Sequence, residues 1–179
     1  MDLVVSRSAK RRVLTFLGDP PSQAFLENQI AAGSGVSIVA TLHAVHALAD
    51  AGLLRREEHG KRCAYGANLG HPLVRQWKVL LTLAMLEPLL SALRVVADRV
   101  MLFGSRPSGA DKEDSDIDLC VRTGVPDEAG AIARASALAG RVQLVARTIL
   151  EEADSERNNP VSLESVRRGM ALYDRGAGL

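Results

Sequence analysis

Two short segments, Val100-Met101-Leu102-Phe103-Gly104-Ser105 and Ser115-Asp116-Ile117-Asp118-Leu119, decide the fold of the second half of the chain. The first predicts a buried strand that ends in a tight Gly-Ser turn. The second predicts a strand that carries two carboxylates. Because side chains alternate between the two faces of a strand, Asp116 and Asp118 share one face and the apolar residues beside them share the other. One face can therefore be buried while the other presents both acids together.

The polar groups of these segments are of the types that hold a metal ion and a phosphate. Two carboxylates on one face suit Mg²⁺, or Mn²⁺ in its place, since Mg²⁺ is usually bound by one or two carboxylates together with phosphate oxygens and water. Gly104 lets the backbone approach a phosphate closely, and Ser105 adds a hydroxyl and an N–H donor. We interpret the two segments as a site for nucleotidyl transfer.

The order of these features is similar to a known signature. An apolar strand, Gly104-Ser105-Arg106, Gly109 and Ser115-Asp116-Ile117-Asp118-Leu119 together resemble the minimal nucleotidyltransferases of the DNA polymerase β superfamily. The similarity covers about residues 87–175 and includes the closing run from Gly169 to Asp174. It implies a small α/β domain that uses Mg²⁺ to transfer a nucleoside monophosphate from a nucleoside triphosphate, which we take to be ATP. The implied catalytic and metal-binding residues are Asp116 and Asp118, and the implied nucleotide-binding residues are Gly104, Ser105, Arg106 and Ser115.

One position departs from this family. Its members normally carry a third carboxylate on the next strand, predicted here at 141–146, and the expected position holds Gln143. A glutamine amide can accept a hydrogen bond or bind a metal weakly, but it cannot take up a proton at neutral pH. General-base help is worth about two to four orders of magnitude in rate. Three acids beyond the strand are alternative substitutes: Glu151, Glu152 and Asp154.

Composition indicates a globular protein without a strong overall charge. At 179 residues the chain can form one medium-sized domain or two small ones. It is 47% hydrophobic and 24% charged, which is typical of a folded protein. The formal net charge is +1, so any surface for nucleic acid must be local.

No segment of the sequence predicts secretion or membrane insertion. The first residues lack the long apolar run of a signal peptide. In the most apolar stretch, 73–97, the longest uninterrupted run is 79–86, far short of the roughly 20 residues of a membrane span. Cys63 and Cys120 have no His or Cys neighbours, so neither a zinc site nor a disulfide is predicted. We expect a cytoplasmic protein that does not bind a membrane.

The first part of the chain predicts three helices followed by a hairpin. Helices are expected over 7–17, from Ser22 to about residue 32, and over about 36–51, the last with a buried stripe of Ile38, Leu42, Val45 and Leu48. Strands are expected over 53–57 and 62–66, joined by a turn at 59–61. This order, and above all the stretch from Asp50 to Tyr65, resembles the winged helix-turn-helix domains of bacterial transcription regulators over about residues 6–71.

The resemblance implies DNA binding, and the residues favour contacts to the DNA backbone. Between Ser34 and Leu54 the chain has no Arg, Lys, Asn or Gln to read bases. The candidates on the third helix are Ser37, Thr41 and His43, whereas phosphate contacts are expected from Arg55, Arg56, Lys61 and Arg62 in the hairpin. The alternatives are that the basic hairpin is a solvated face and that the alanine-rich helix docks a protein.

The predicted architecture is α+β, with a winged helix-turn-helix over 1–71, a helical connector over 72–97 and a nucleotidyltransferase domain over 98–179. The connector is expected as two helices, divided at Pro88. Its apolar residues would pair with a second copy in a homodimer or pack the two domains together: Leu73, Trp77, Leu80, Leu81 and Leu83. In the last domain, strands at 99–103, 116–121 and 141–146 form a mixed sheet. Residues 151–160 are expected as a loop or helix end, and a last helix over 162–173.

Two functions follow from these patterns. In the first, the chain transfers a nucleotide to an acceptor. The resemblance suggests a protein acceptor, since minimal nucleotidyltransferases frequently pair with small helical toxins and neutralise them by nucleotidylation. In the second, the chain is a transcription regulator or antitoxin that binds DNA and a nucleotide or partner protein with weak catalysis or none. The pair of acids favours the first function, and Gln143 favours the second.

Overall fold

The protein forms two units, each with its own hydrophobic core. The structure, a computed structural model, describes residues 8–19, 23–59, 62–112, 114–158 and 160–177. The first unit comprises the described residues up to Leu81 together with Ser108–Asp114. The second comprises Thr82–Pro107 and the described residues from Ser115 onwards.

The first unit combines helices with a three-stranded antiparallel sheet. Its elements are α1 (Ala9–Gly18), β1 (Ala24–Leu26), α2 (Glu27–Ser34), α3 (Ile38–Asp50), β2 (Leu54–His59), β3 (Arg62–Ala67) and the beginning of α4 (Pro72–Leu93). The strand order is β1-β3-β2. The core joins side chains of α1, α2 and α3 to the sheet, among them Leu17, Ile30, Val45 and Tyr65. The predicted hairpin is confirmed, while Ser22 and the turn residues Gly60 and Lys61 lie outside the described residues.

The buried stripe of α3 differs from the prediction. Ile38, expected in the core, is 46% exposed, and Thr41 is fully buried in its place. The buried residues of this helix are Thr41, Ala44, Val45 and Leu48. They follow the three- and four-residue spacing of one helix face. The small side chains of Thr41 and Ala44 sit on the buried side, whereas the larger Ile38 and Val39 remain outside.

The second unit is built on a four-stranded mixed sheet. Its elements are β4 (Ala97–Phe103), a 3₁₀ turn (Arg106–Ser108), β5 (Ile117–Thr123), α5 (Pro126–Ala135), β6 (Val142–Arg147), α6 (Ile149–Asn158), α7 (Pro160–Arg167) and β7 (Met170–Asp174). The strand order is β6-β5-β4-β7. Only β5 and β6 are parallel, and α5 makes the crossover that a parallel pair requires. The three predicted strands are confirmed.

Helix α4 runs without a break through Pro88, so the predicted division into two helices is wrong. A proline inside a helix costs about 3 kcal/mol. Leucines on both sides of Pro88 are buried in the core of the second unit: Leu86, Leu89, Leu90 and Leu93. Burial of each is worth roughly 1.5–3 kcal/mol, so their combined contribution exceeds the cost of the proline.

The end of the chain also differs from the prediction. The expected helix over 162–173 ends at Arg167, and Met170–Asp174 forms β7, which pairs with β4. Gly169 explains the change, because a Cβ atom there would collide with the main-chain oxygen of Leu102. The glycine ends the helix and brings the chain close enough to β4 to pair with it. Residues 151–158, expected as a loop or helix end, belong to α6.

The described residues contain no single helix that is long and apolar enough to cross a membrane; α2 and α3, bent by 109°, reach that length and composition only as a pair.

A buried ion pair anchors the segment that links β4 to β5. Lys78 on α4 is 3% exposed and its Nζ lies 3.0 Å from Oδ1 of Asp111, which is 2% exposed. The same Nζ donates to the main-chain oxygens of Gly109 at 3.2 Å and Asp111 at 2.6 Å. Gly109 has a φ of +65°, and a Cβ atom there would collide with the main chain of Arg75. Residues 109–111 are therefore held tightly within the first unit.

Removing the acid of this pair should destabilise the protein strongly. We expect Asp111→Ala to lower the free energy of unfolding by about 3–5 kcal/mol, because the Lys78 ammonium group stays buried without its counter-charge. The measurement is urea denaturation followed by circular dichroism. Asp114→Ala, on the same segment but at an exposed position, is the control and should change the stability by less than about 0.5 kcal/mol. Equal losses in the two variants would contradict the role of the ion pair.

Candidate functional site

The two acids lie at one end of the four-stranded sheet. Asp116 directly precedes β5, and Asp118 lies within it beside Phe103 of β4 and Gln143 of β6. Ile117, Leu119 and the alternate residues that follow are fully buried, which turns the acids to the other face. The strand pattern of the sequence therefore predicted the orientation of both carboxylates.

Gly104 brings the main chain against the Asp118 carboxylate. It follows the last residue of β4 and has a φ of +77°, in the left-handed region that favours glycine. A Cβ atom at this position would collide with Oδ2 of Asp118. No other residue type allows the same approach without displacing the carboxylate. The predicted metal-binding and phosphate-binding elements thus meet directly.

Arg106 supports the site from within. It is only 4% exposed, and its Nη2 donates to the main-chain oxygen of Ser115 at 2.8 Å. The turn after β4 is thereby tied to the residue before Asp116. Direct contact of Arg106 with the nucleotide stays a prediction, and the contact that the structure shows is the support of this turn.

Sequence reasoning missed this positioning role of Arg106. The bond is formed by a side chain and a carbonyl that are nine residues apart, across a turn. Hydrophobic periodicity describes only the burial of side chains, so it carries no signal for such a bond.

The electrostatics of the site favour a cation. Burial raises the pKa of the Asp118 carboxyl, the negative charge of Asp116 raises it further, and the nearby Arg106 opposes both effects. A carboxylate whose charge is disfavoured by burial and by a like-charged neighbour is stabilised when a positive ion lies between the two. The pair of acids, open on one side to the Gly104 turn, fits Mg²⁺ or Mn²⁺ accompanied by phosphate oxygens.

Gln143 occupies the position next to the acids where the family resemblance implies a third carboxylate. Its Nε2 donates to Oδ2 of Asp116 at 2.6 Å. The Gln143 amide thus provides one hydrogen-bond donor to the Asp116 carboxylate when no metal is bound. In the part of the chain that the structure describes, no group of three or more His, Cys, Asp or Glu is placed to hold a metal ion.

The three alternative third acids are placed elsewhere, on α6. Glu151 accepts hydrogen bonds from the main-chain N and the Oγ1 of Thr148, at 2.8 and 3.0 Å. Glu152 lies 3.9 Å from Arg122, further along β5. Asp154 is on the same helix and exposed. None of the three forms a ligand group with Asp116 and Asp118 among the described residues.

The residues proposed to contact DNA divide into two groups. Thr41 is fully buried, so its prediction as a DNA contact is wrong. The exposed members are Ser37, His43, Arg55, Arg56 and Arg62, while Lys61 lies outside the described residues.

The exposed members already have contacts within the protein. Ser37 caps the start of α3 by accepting a hydrogen bond from the main-chain N of Ala40. Arg55 is paired with Glu57 at 3.2 Å, and Nε of Arg56 donates to Sγ of Cys63 at 3.1 Å. The hairpin therefore carries less net positive charge than its arginines suggest.

Comparison with known proteins agrees with this geometry for the second unit. A family model described as a nucleotidyltransferase domain matches residues 87–163, from the second half of α4 into α7. Among solved structures, the crystal structure of an inferred nucleotidyltransferase from Sulfolobus solfataricus is similar over 57% of this chain and 85% of its own, with 19% sequence identity and a TM-score of 0.36. No curated protein matches the chain in sequence. Residues 87–163 are therefore similar to a nucleotidyltransferase domain, and this likeness covers less than half of the chain.

Replacing Gly104 should disturb the site through the clash with Asp118. We expect Gly104→Ala to lower the free energy of unfolding by about 1–3 kcal/mol, because a Cβ atom is disfavoured at this φ and collides with the carboxylate. Thermal or urea denaturation measures the loss. Gly124→Ala is the control, since nothing lies within 4 Å of its Cβ position.

A second substitution separates the clash from the backbone strain. Asp118→Ala in the Gly104→Ala background should recover part of the lost stability, because it removes the atoms that collide and leaves only the unfavourable φ. Strictly additive effects of the two substitutions would show that Gly104 and Asp118 are not in contact.

Proposed function

We propose that the chain is a Mg²⁺-dependent nucleotidyltransferase that transfers a nucleoside monophosphate from a nucleoside triphosphate to an acceptor. The observation that carries the proposal is the direct approach of the Gly104 main chain to the Asp118 carboxylate, with Asp116 on the same face. A phosphate held at the Gly104 turn lies beside both acids. The match of residues 87–163 to the nucleotidyltransferase domain supports the same chemistry.

Each group of the site has a role in this proposal. Asp116 and Asp118 hold the metal, which when bound neutralises the charge that develops as the acceptor attacks the α-phosphate and pyrophosphate leaves. The main chain of Gly104 and the hydroxyl and N–H of Ser105 bind the triphosphate. Arg106 keeps Ser115, and with it the start of β5, in place. We take ATP as the donor.

In this proposal Gln143 lowers the rate of nucleotidyl transfer. Its amide cannot accept the proton of the acceptor, so Gln143 does not serve as general base. Its hydrogen bond to Asp116 favours a second candidate function, in which the domain binds a nucleotide or a partner protein and catalysis is weak or absent. The chain would then act as a transcription regulator or antitoxin.

For the first unit we propose a winged helix-turn-helix that binds DNA. The element order α1-β1-α2-α3-β2-β3 and the sheet order β1-β3-β2 support it. Contacts to the DNA backbone would come from Arg55, Arg56 and Arg62, and base contacts from His43. We further propose a small helical toxin as the acceptor or partner.

We also propose a homodimer formed through α4, and a reducing cytoplasmic setting, in which Cys63 and Cys120 stay free thiols. Leu73 on α4 is 65% exposed, which supports the pairing of this helix with a second copy. Trp77 and Leu81 already lie beside Gly18 within the first unit, so the dimer surface would be smaller than the sequence suggests.

Nucleotide titration tests the proposed activity. We expect one of ATP, GTP, CTP or UTP to bind wild-type protein only with Mg²⁺, and the Asp116→Ala, Asp118→Ala double variant to lose this binding while keeping its circular dichroism spectrum. Isothermal titration measures the affinity, and an α-labelled nucleotide detects self-labelling or pyrophosphate release. Equal affinity of the double variant would contradict the assignment of the acids, and binding without turnover would favour the regulator.

Restoring the third acid tests the role of Gln143. We expect Gln143→Asp to raise the transfer rate by about tenfold or more, since general-base help is worth about two to four orders of magnitude. The affinity for Mg²⁺ should rise as well, because a third negative charge replaces an amide. Gln143→Asn is the control of matched size. Unchanged rates in the aspartate variant, with intact metal binding, would show that Gln143 does not belong to the site.

Salt dependence tests the proposed DNA binding. We expect the affinity for duplex DNA to fall steeply with salt and to show little sequence preference. Each phosphate contact should add about 0.9 to the slope of log K against log salt concentration, so Arg55→Ala with Arg56→Ala should reduce the slope. Arg168→Ala, an exposed arginine of the second unit, is the control. Sequence-specific binding that survives physiological salt would contradict this view of α3.

A further inference from the structure

A row of arginines crosses the sheet of the second unit away from the acids. Arg99 of β4 is directly opposite Arg122 of β5, and Arg122 is directly opposite Arg147 of β6. Arg122 follows Asp118 by an even number of residues, so it projects on the same face of β5 as that acid. The spacing places the row about 13 Å along the strand from Asp118.

Three positive charges on directly opposite residues destabilise the folded sheet unless negative charges lie close to them. Directly opposite residues on neighbouring strands have Cβ atoms about 4.5–5.5 Å apart, and like charges at such positions are destabilising. Two acids lie close to the row: Oδ2 of Asp174 is 3.3 Å from Nε of Arg99, and Glu152 is 3.9 Å from Arg122. Glu151 also interacts with Arg147, and Arg167 adds a fourth guanidinium group, so four arginines face three carboxylates.

The guanidinium groups also have unused hydrogen-bond donors. Nε of Arg99, Nε of Arg122 and Nη1 of Arg147 are each buried and make no hydrogen bond within the described residues. A buried donor without an acceptor is unfavourable, and it is more so when it is charged. Nε of Arg99 still has the Asp174 carboxylate at 3.3 Å, whereas these donors of Arg122 and Arg147 have no acceptor among the described residues. A phosphate group would supply both negative charge and acceptor oxygens to this row.

A pocket is available for such a group. Arg99 and Arg122 line a pocket of about 80 Å³ together with Arg167 of α7, Glu152 of α6 and the half-buried thiol of Cys120. All of these residues belong to the second unit. The planar guanidinium presents a fork of N–H donors that matches two oxygens of a phosphate.

We propose that this arginine row is a second anion site, separate from the Gly104–Asp118 site, and that it binds a phosphate group. The phosphate can be inorganic phosphate or the phosphate of a nucleotide, and both present the same oxygens to the pocket arginines Arg99, Arg122 and Arg167. The proposal does not depend on transfer activity at the first site, because it rests on charge, unused donors and a pocket at the other end of the strand.

The test is a titration of inorganic phosphate and of adenosine 5′-monophosphate into full-length protein with EDTA present, measured by calorimetry. We expect both to bind wild-type protein and the Asp116→Ala, Asp118→Ala variant equally. Arg122→Gln should weaken binding by about tenfold or more. Glu152→Gln should tighten it, since it removes a negative charge from the pocket. Arg168→Gln, an exposed arginine paired with Glu164 on α7, is the matched control and should have no effect.

The outcomes separate this proposal from its alternatives. Loss of binding in the Asp116→Ala, Asp118→Ala variant would place the phosphate at the first site and overturn the proposal. Equal weakening by Arg122→Gln and Arg168→Gln would show nonspecific charge attraction and overturn it, as would the absence of binding to wild-type protein. A nucleotide that binds at least tenfold tighter than inorganic phosphate would identify a nucleotide as the source, and equal affinities would identify free phosphate.

The two cysteines provide an independent readout. Cys120 lines the pocket, whereas Cys63 lies on β3 in the first unit. Phosphate should slow alkylation of Cys120 by iodoacetamide and leave Cys63 unchanged, as measured by mass spectrometry of the two peptides. Burial raises the pKa of the Cys120 thiol, so the reaction is best followed at alkaline pH. An alkylation rate of Cys120 that stays the same at a saturating phosphate concentration would overturn the assignment of the pocket.

Discussion

The site depends on the register between β4 and β5. In this register Phe103 is opposite Asp118, so the residue that follows Phe103 must turn beside a carboxylate. Gly104 allows the turn because it has no Cβ atom and can adopt a positive φ. The register is fixed by burial, since a slip of one residue would bring the acids into the core and expose Ile117 and Leu119. The leucines of α4 complete that core and hold the strands in place.

The outward face of β5 separates opposite charges along one strand. Asp116 and Asp118 stand at one end, and Arg122 stands at the other with Arg99 and Arg147 beside it. Because side chains alternate between the two faces of a strand, all of these groups lie on the face opposite the one that packs into the hydrophobic core. Burial and then the charge of Asp116 raise the pKa of Asp118, and at the other end the arginines repel each other and leave donors without an acceptor in the described part of the chain. This separation of charge is what supports the two proposed ion sites, for a cation at the acids and for an anion at the arginines.

Gln143 shows how a site can keep its geometry while its chemistry changes. β6 brings the residue to the place where a third acid would complete the site, and the amide uses that place to donate to Asp116. Unlike the carboxylate that the family resemblance implies at this position, the Gln143 amide cannot accept a proton.

The sequence by itself determined the strands of the second unit and the common face of Asp116 and Asp118, because both follow from the period of two along a strand, while the position of Gln143 followed from the family resemblance. It did not determine the continuity of α4 through Pro88, the strand at Met170–Asp174, or the burial of Thr41 and Arg106. Nor did it reveal that Arg99, Arg122 and Arg147 stand in one row. These features depend on which residues from distant parts of the chain meet, and on whether their combined burial outweighs local preference. A local pattern records the preference of each segment, and only the tertiary structure decides which preference prevails.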